Sequence, residues 1–420
     1  MKPYHDNRYI ISCIGYFLFE EETIMKKLVS LALAAVLAVS AVGCGSSSDS
    51  SSSTADSAQS TEAAADGATF KIGGIGPITG GAAVYGLAVK NAAELAVKEI
   101  NEAGGINGMQ VEFKFEDDEH DAEKSVNAYN SLKDWGMQML MGTVTSTPCT
   151  AVVEKTHEDN MFQLTPSGSA VESIKYDNAF RVCFSDPGQG TASAKYIGEN
   201  KLASKVAVIY NSSDVYSSGI YQKFAEEAKN QDFEVVSAEA FTEDSKTDFS
   251  VQLQKAKDAG ADMVFLPIYY TEASLILTQA NSMGYAPTFF GCDGLDGLLA
   301  VKNFDTKLAD GVMLLTPFAA DADDEKTQAF VSAYKEAYGD TPNQFAADTY
   351  DAIYIMKAAA EKAGVTADMS VSDICDAMKT AMTEISYDGL TGEGMTWTAD
   401  GEPDKAPKAV VIKDGVYTAM

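Results

Sequence analysis

The chain has 420 residues, of which 46% are hydrophobic, and it carries a formal net charge of −30 with a pI near 4.3. This acidity argues against a nucleic-acid-binding protein, because such proteins present basic stripes to phosphate. It also argues against attachment to anionic lipid through protein charge. About 350 residues follow the N-terminal segments, which at about 150 residues per domain predicts two domains.

Residues 1–24 place aromatic and charged residues ahead of a signal whose start should be short and basic. We therefore expect translation to begin at Met25 and residues 1–24 to be an upstream extension. Any peptide from these 24 residues in the unprocessed precursor would contradict this expectation.

The segment from Met25 to Cys44 is arranged as a secretory signal. Lys26 and Lys27 precede an apolar stretch of about 15 residues, too short to span a bilayer comfortably, and small residues lead to Cys44. This ending resembles the lipobox of bacterial lipoproteins, whose cysteine is lipidated and becomes residue one. An ordinary cleaved signal is the alternative. A Ser-rich tether over residues 45–68 favours a protein lipid-anchored through Cys44 to the outer face of the bacterial cell membrane.

Strand-like and helix-like patterns alternate through the rest of the chain. Apolar residues at helical spacing predict a helix over Tyr85–Ala103, which ends at two glycines. The predicted strands are Phe70–Gly76, Val111–Phe115, Gln138–Gly142, Met161–Thr165, Lys205–Tyr210, Phe233–Ala240, Asp262–Pro267, Thr288–Gly291, Gly311–Leu315, Gly394–Thr398 and Ala409–Ile412. After Pro317 the pattern is mostly helical.

Strand–helix–strand repeats predict an α/β protein with parallel sheets that are covered on both faces. Because the rhythm breaks near Asp186, we predict two Rossmann-like lobes joined by a hinge. Lobe 1 takes residues 69–188 and 317–398, and lobe 2 takes residues 189–316 and 399–420.

Besides Cys44, four cysteines remain once the signal is removed, at positions 149, 183, 292 and 375. They form no CxxC pair and are too few for disulfides to be the main stabilisation of a fold of this size. One or two disulfides remain open in an oxidising compartment, and the sequence does not pair them.

Parallel sheets bind ligands beyond the carboxyl ends of their strands. Hydroxyl side chains follow the strands of the first lobe, whereas tyrosines and an acid follow those of the second. Hydroxyls at a helix N-terminus suit a carboxylate, and an acid opposite them suits an ammonium group. The sequence therefore predicts a cleft for a zwitterion, with tyrosine faces around the remainder of the ligand.

From Phe70 to about Ile412 the chain resembles the periplasmic leucine/isoleucine/valine-binding proteins, the substrate receptors of amino-acid ABC importers. Several motifs in this order carry the resemblance: Gly76-Pro77-x-x-Gly80 with Tyr85-Gly86, Ile100-Asn101-x-x-Gly104-Gly105-Ile106-Asn107-Gly108, Gly142 to Ser146, Leu164-Thr165-Pro166-Ser167, Phe180-Arg181, Tyr216-Ser217-Ser218-Gly219 and Gly291-Cys292-Asp293-Gly294. The resemblance implies a type I periplasmic binding protein fold without cofactor, metal or catalytic residues. It also implies a monomer that delivers a branched-chain or other hydrophobic amino acid to a membrane permease.

The resemblance further implies roles for eight residues. Ser146, Ser167 and Ser169 hold the α-carboxylate, and Asp186 and Asp293 hold the α-ammonium. Tyr216 and Tyr269 close over the ligand from the second lobe, and Tyr85 lines the side-chain pocket of the first. The chain departs from the family pattern in two places. Asp293 stands where glutamate is commoner, and Asp118 and Thr145 occupy the places of a disulfide found in some members.

The same residues also have less specific explanations. Taken singly, Ser146 or Ser167 is more typical of a helix cap, Tyr269 of surface packing and Asp293-Gly294 of a turn. Gly74-x-Gly76 lacks the third glycine of a dinucleotide loop. Strand-end acids in a solvated loop explain residues 117–121 better than a metal cluster does.

Three further possibilities concern function. Cys149 has no histidine partner that would make it a nucleophile, and an Asp186–Asp293 glycosidase pair explains the hydroxyl loops less well than an ammonium site does. A sensory domain for small amides or other amino acids, coupled to a signalling receptor, stays open as an alternative. Neighbouring genes would distinguish import from sensing.

Overall fold

The computed structural model describes residues 68–420, so the predictions for the signal, the lipidated cysteine and the tether lie outside the described residues. None of the helices between residues 68 and 420 is both long and apolar enough to span a bilayer. The four cysteines of this part are free, buried thiols, which resolves the open question of disulfides within it.

The first sheet is wholly parallel. Its strands are β1 (Phe70–Gly76), β2 (Val111–Asp117), β3 (Met139–Gly142), β4 (Phe162–Thr165) and β5 (Ala179–Arg181). They lie in the order β2-β1-β3-β4-β5. Every residue of β3 and β4 is buried, as expected where helices cover both faces of a sheet.

The second sheet is parallel except at one edge. Its strands are β6 (Lys205–Asn211), β7 (Glu234–Phe241), β8 (Met263–Leu266), β9 (Thr288–Gly291), β10 (Met313–Thr316), β11 (Lys408–Lys413) and β12 (Val416–Ala419). The order is β12-β11-β10-β9-β8-β6-β7, with β11 and β12 antiparallel to their neighbours.

Ten α-helices occupy the described residues. They are α1 (Ala83–Glu102), α2 (Ala122–Trp135), α3 (Ser146–Glu158), α4 (Asp186–Glu199), α5 (Val215–Glu227), α6 (Ser250–Asp258), α7 (Tyr270–Ser282), α8 (Glu325–Tyr338), α9 (Gln344–Ala363) and α10 (Val371–Met382). Helices α1 and α9 pack together over the face of the first sheet that carries Ile72, while α2 and α3 pack over the face that carries Ile75. The two faces follow from the alternation of side chains along β1.

Local signals explain where individual helices begin and end. In α2 the Asp121 carboxylate accepts hydrogen bonds from the N–H groups of Glu123 and Lys124, which have no partner inside the helix. The same helix ends at Gly136, whose φ of 94° is a left-handed conformation that glycine adopts at little cost.

The predicted strands are confirmed within about two residues at each end, with three exceptions. Gly394–Thr398 is not a strand, because Met395 and Trp397 form only isolated bridges. The three-residue strand β5 was too short to predict. Strand β12 was also missed, although Asp414-Gly415 before it is a typical hairpin turn in which both residues have positive φ.

The chain crosses between the two sheets three times: after β5, after β10 and before β11. The third crossing contains Lys405, whose side chain is fully buried. Its ammonium donates hydrogen bonds to Asp348 Oδ1 (2.6 Å), Thr391 Oγ1 (2.7 Å) and the Val182 carbonyl (3.0 Å). Lys405 therefore ties the third crossing to the first. The exact lobe boundaries stay a prediction.

Replacing Lys405 with methionine should lower the free energy of unfolding by about 3–5 kcal/mol, because the substitution leaves the Asp348 carboxylate buried and unpaired. The double variant Lys405→Met/Asp348→Asn should recover part of this loss. Urea denaturation measures both, with the exposed Lys302→Met as the control. A double variant as unstable as the single one would contradict the ion-pair explanation.

Candidate functional site

Loops at the carboxyl ends of strands from both sheets meet around a cavity of about 10 Å³, roughly the space of one water molecule. Six of the eight predicted residues line it: Tyr85, Ser146, Ser167, Tyr216, Tyr269 and Asp293. Ser169 and Asp186 do not line the cavity but lie beside it. The Ser169 hydroxyl is 3.5 Å from that of Ser146, and the Asp186 N–H donates to the Ser169 carbonyl at 2.9 Å.

The three serines differ in what their hydroxyls can offer. Ser146 is the first residue of α3, and its Oγ accepts a hydrogen bond from the Ala170 N–H at 3.2 Å, so its proton is held by no more than the long 3.5 Å contact with the Ser169 hydroxyl. Ser167 already donates to the Val144 carbonyl at 2.6 Å. The N-terminus of α3 adds the positive end of a helix dipole. An anion is therefore favoured near Ser146, and Ser167 must break a bond to contribute its proton.

Two buried carboxyl groups stand near these hydroxyls. Asp293 Oδ1 accepts a hydrogen bond from the Tyr216 hydroxyl at 2.7 Å, and burial raises the pKa of Asp293 to about 7, although Tyr216 opposes the shift. Burial raises the pKa of Asp186 well above its ordinary value as well, and the nearby Ser169 side chain opposes this. Asp186 Oδ1 has no hydrogen-bond partner among the described residues. Neither acid forms a salt bridge with a lysine or arginine in this part of the chain.

The three tyrosines pack against one another across the cleft. The rings of Tyr216 and Tyr269 stack with centroids 4.9 Å apart, and Tyr85 meets Tyr269 edge-on at 5.6 Å. Tyr85 comes from α1 beside the first sheet, yet its hydroxyl donates to the Gly294 carbonyl of the second lobe at 2.5 Å. Tyr85 therefore joins the two lobes as well as lining the cavity.

Four lining residues were not predicted: Val144, Thr145, Gly294 and Phe345. A Cβ atom at Gly294 would come within 2.6 Å of the Tyr216 hydroxyl, so only glycine fits there. Phe345 lies in the first turn of α9, and its ring packs 4.2 Å from that of Tyr85. No local pattern identifies Phe345, since only the folded chain brings it near the strand ends.

The alternative sites lack support in this geometry. The acids at 117–121 serve the backbone: Asp117 accepts from Ile78 N–H, Asp118 accepts from His120 N–H, and Asp121 caps α2. No cluster of three or more His, Cys, Asp or Glu side chains suited to a metal occurs within residues 68–420. Gly74 faces Phe113 and Phe115, where a Cβ would clash, so strand packing explains it. Burial raises the pKa of the Cys149 thiol, which opposes a nucleophilic role.

Comparison with known proteins agrees with this architecture. A family model described as "Periplasmic binding protein" matches residues 69–415. The chain is 30% identical over 303 residues to a leucine-, isoleucine-, valine-, threonine- and alanine-binding protein of Pseudomonas aeruginosa, covering 72% of this chain and 80% of that protein. It is 32% identical over 316 residues to a Leu/Ile/Val-binding protein homologue of Brucella melitensis, covering 73% and 82% of the two chains.

A solved structure gives the same result. The branched-chain amino acid transporter substrate-binding protein LivJ of Streptococcus pneumoniae, in complex with isoleucine, superposes with a TM-score of 0.76 at 28% identity. The match covers 84% of this chain and 98% of that one.

Asp293 should make stability depend on pH. Its pKa is about 7 in the folded protein against an ordinary value of 3.8, so the folded state holds more protons between these values, and stability falls as pH rises through this window. Asp293→Asn removes the titrating group, and the melting temperature of the ligand-free protein should then fall less steeply from about pH 4 to pH 7. The exposed Asp134→Asn is the control. Equal slopes in all three proteins would show that Asp293 does not titrate in this range.

Proposed function

Because the chain belongs to the periplasmic binding protein family, whose members are binding proteins rather than enzymes, we propose that it captures a free amino acid between its lobes. The amino acid is branched-chain or otherwise hydrophobic, and the protein delivers it to the permease of an ABC importer. Family membership supports an extracytoplasmic location. We further propose that the protein acts as a monomer anchored through a lipidated Cys44.

The observation that carries this proposal is a pair of buried acids close to the loops that carry Ser146, Ser167 and Ser169. Asp186 is 1% exposed and Asp293 5% exposed, and Asp186 Oδ1 has no hydrogen-bond partner within residues 68–420. An unpaired buried charge is costly, and an ammonium group would compensate it through charge-assisted hydrogen bonds. The N-terminus of α3 and Ser146 suit the carboxylate of the same ligand. These opposite charges favour a zwitterion over a sugar or a simple anion.

The walls of the cavity support a hydrophobic side chain. Tyr85, Phe345 and Val144 present apolar surface on the first lobe, and the Tyr216 and Tyr269 rings do so on the second. The Pseudomonas aeruginosa relative is named as binding leucine, isoleucine, valine, threonine and alanine, and the LivJ complex holds isoleucine. We propose the same ligand class here.

Binding requires the lobes to separate. The cavity of about 10 Å³ is far smaller than an amino acid, and most of its walls are buried. Opening breaks bonds between the lobes, including Tyr85 to Gly294 (2.5 Å) and Thr147 to Asp214 (3.2 Å). To shift a population from 1:99 to 99:1, the ligand must favour the closed form by about 5.5 kcal/mol. Three or four charge-assisted hydrogen bonds at about 1.5–3 kcal/mol each can supply this difference.

Asp293→Ala should weaken amino-acid binding at least about a hundredfold, because it removes an ion pair with the ligand ammonium. A thermal-shift screen of the twenty amino acids, small amides and a few sugars first identifies the ligand, since a hundredfold excess over Kd adds about 2.7 kcal/mol of stability. Calorimetric titration then compares wild type, Asp293→Ala and the exposed control Asp134→Asn. Unchanged affinity in a folded Asp293→Ala protein would refute the ammonium role. Shifts only with amides or sugars would refute the proposed ligand class.

A further inference from the structure

Arg181, at the end of β5, forms hydrogen bonds with the loop that carries Ser167 and Ser169. Its side chain is 1% exposed, and Nη1 donates hydrogen bonds to three successive carbonyl groups of this loop. They are those of Gly168 (3.4 Å), Ser169 and Ala170 (3.1 Å). Because Nη1 has two N–H bonds, at least one of them is shared between two carbonyl groups, and this one nitrogen constrains the direction of all three peptide groups.

The direction of these peptides determines what the loop offers to the cleft. With the carbonyls turned toward Arg181, the amide groups are free to point elsewhere: the Ala170 N–H donates to Ser146 Oγ, and the Ser169 N–H donates to no described residue. The Ser169 carbonyl also accepts from the Asp186 N–H at 2.9 Å. Arg181 thus holds together the backbone that connects the proposed carboxylate and ammonium ends of the site.

The other side of Arg181 is attached to the third crossing between the lobes. Its Nε lies 2.9 Å from Glu402 Oε2, an ionic contact without an aligned hydrogen bond. The Arg181 N–H donates to the Gly401 carbonyl at 3.1 Å, and Trp397 Nε1 donates to the Arg181 carbonyl at 2.8 Å. Gly401 lies against Ala179 at a φ of 80°, where a Cβ would clash. Residues 397–402 are therefore pinned to β5 just before the chain enters the second sheet.

We propose that Arg181 is a positioning residue for ligand binding. Its guanidinium orients the 168–170 loop toward the ligand carboxylate and couples this loop to the crossing that moves when the lobes close. The proposal rests on the proposed function, because it needs a ligand with a carboxylate. Lysine at this position is a point donor and cannot reproduce the planar guanidinium that spans the loop and Glu402.

The test compares two ligands that differ only in the carboxylate. The probes are L-leucine and 3-methylbutylamine, its decarboxylated form; if another amino acid gives a larger thermal shift, that amino acid and its amine replace them. Arg181→Lys should weaken binding of the amino acid about tenfold, equivalent to one hydrogen bond of about 1.4 kcal/mol, and leave binding of the amine unchanged. Glu402→Gln should also weaken binding of the amino acid, by a smaller factor, and leave binding of the amine unchanged. The exposed Glu172→Gln, close to Arg181, is the matched control.

If Arg181 had a purely structural role, Arg181→Lys would weaken binding of both ligands equally or would lower only the melting temperature. Either result overturns the proposal. Glu402→Gln keeps the test decisive if Arg181→Lys does not fold, since a folded Glu402→Gln protein with unchanged preference between the two ligands also overturns it. Wild-type protein that binds no amino acid would contradict the proposed function. It would also contradict the positioning role, because that role needs a ligand with a carboxylate. Wild-type binding with no change in Arg181→Lys would contradict the positioning role alone.

Discussion

The site depends on two buried acids that no lysine or arginine of residues 68–420 pairs in a salt bridge. Burial disfavours the ionised forms of Asp186 and Asp293, and raises the pKa of Asp293 to about 7. The buried carboxylate of Asp348, by contrast, is paired with the ammonium of Lys405 in a salt bridge. At the cleft the acids stay without such a partner, next to the N-terminus of α3. A ligand that brings its own ammonium and carboxylate would neutralise both ends in one step.

In the proposed mechanism, lobe closure and ligand recognition use the same side chains. Tyr216 donates to Asp293 and accepts from the Gly294 N–H, so it fixes the acid and the turn that carries it. Tyr85 reaches from α1 to the Gly294 carbonyl, so separating the lobes withdraws a wall of the cavity. Because the proposed ligand contacts and the observed contacts between the lobes share these residues, a ligand that bridges the lobes would stabilise the closed arrangement directly. The balance between the forms is then set by a few hydrogen bonds.

Much of this architecture was predictable from the sequence, because periodicity marks buried strands and helices reliably. The strand Phe70–Gly76 was placed without error, and the hydroxyls and acids were expected at strand ends. Phe345 was not predictable, since it reaches the cavity from a helix about 200 residues after Ser146. The bond from Ser167 to Val144 was also hidden, because sequence does not show where a hydroxyl proton points. Trp397 and Met395 mimic a strand by alternation but serve the third crossing instead.

The central claim is that separate groups hold the two charged ends of one ligand. Calorimetric titration of the purified protein with L-leucine and with 4-methylpentanoate, which lacks only the ammonium group, tests it most directly. The account predicts that removing the ammonium weakens binding by about a hundredfold or more, as expected for lost charge-assisted hydrogen bonds to buried acids. If 4-methylpentanoate bound as tightly as L-leucine, Asp186 and Asp293 would not form an ammonium site.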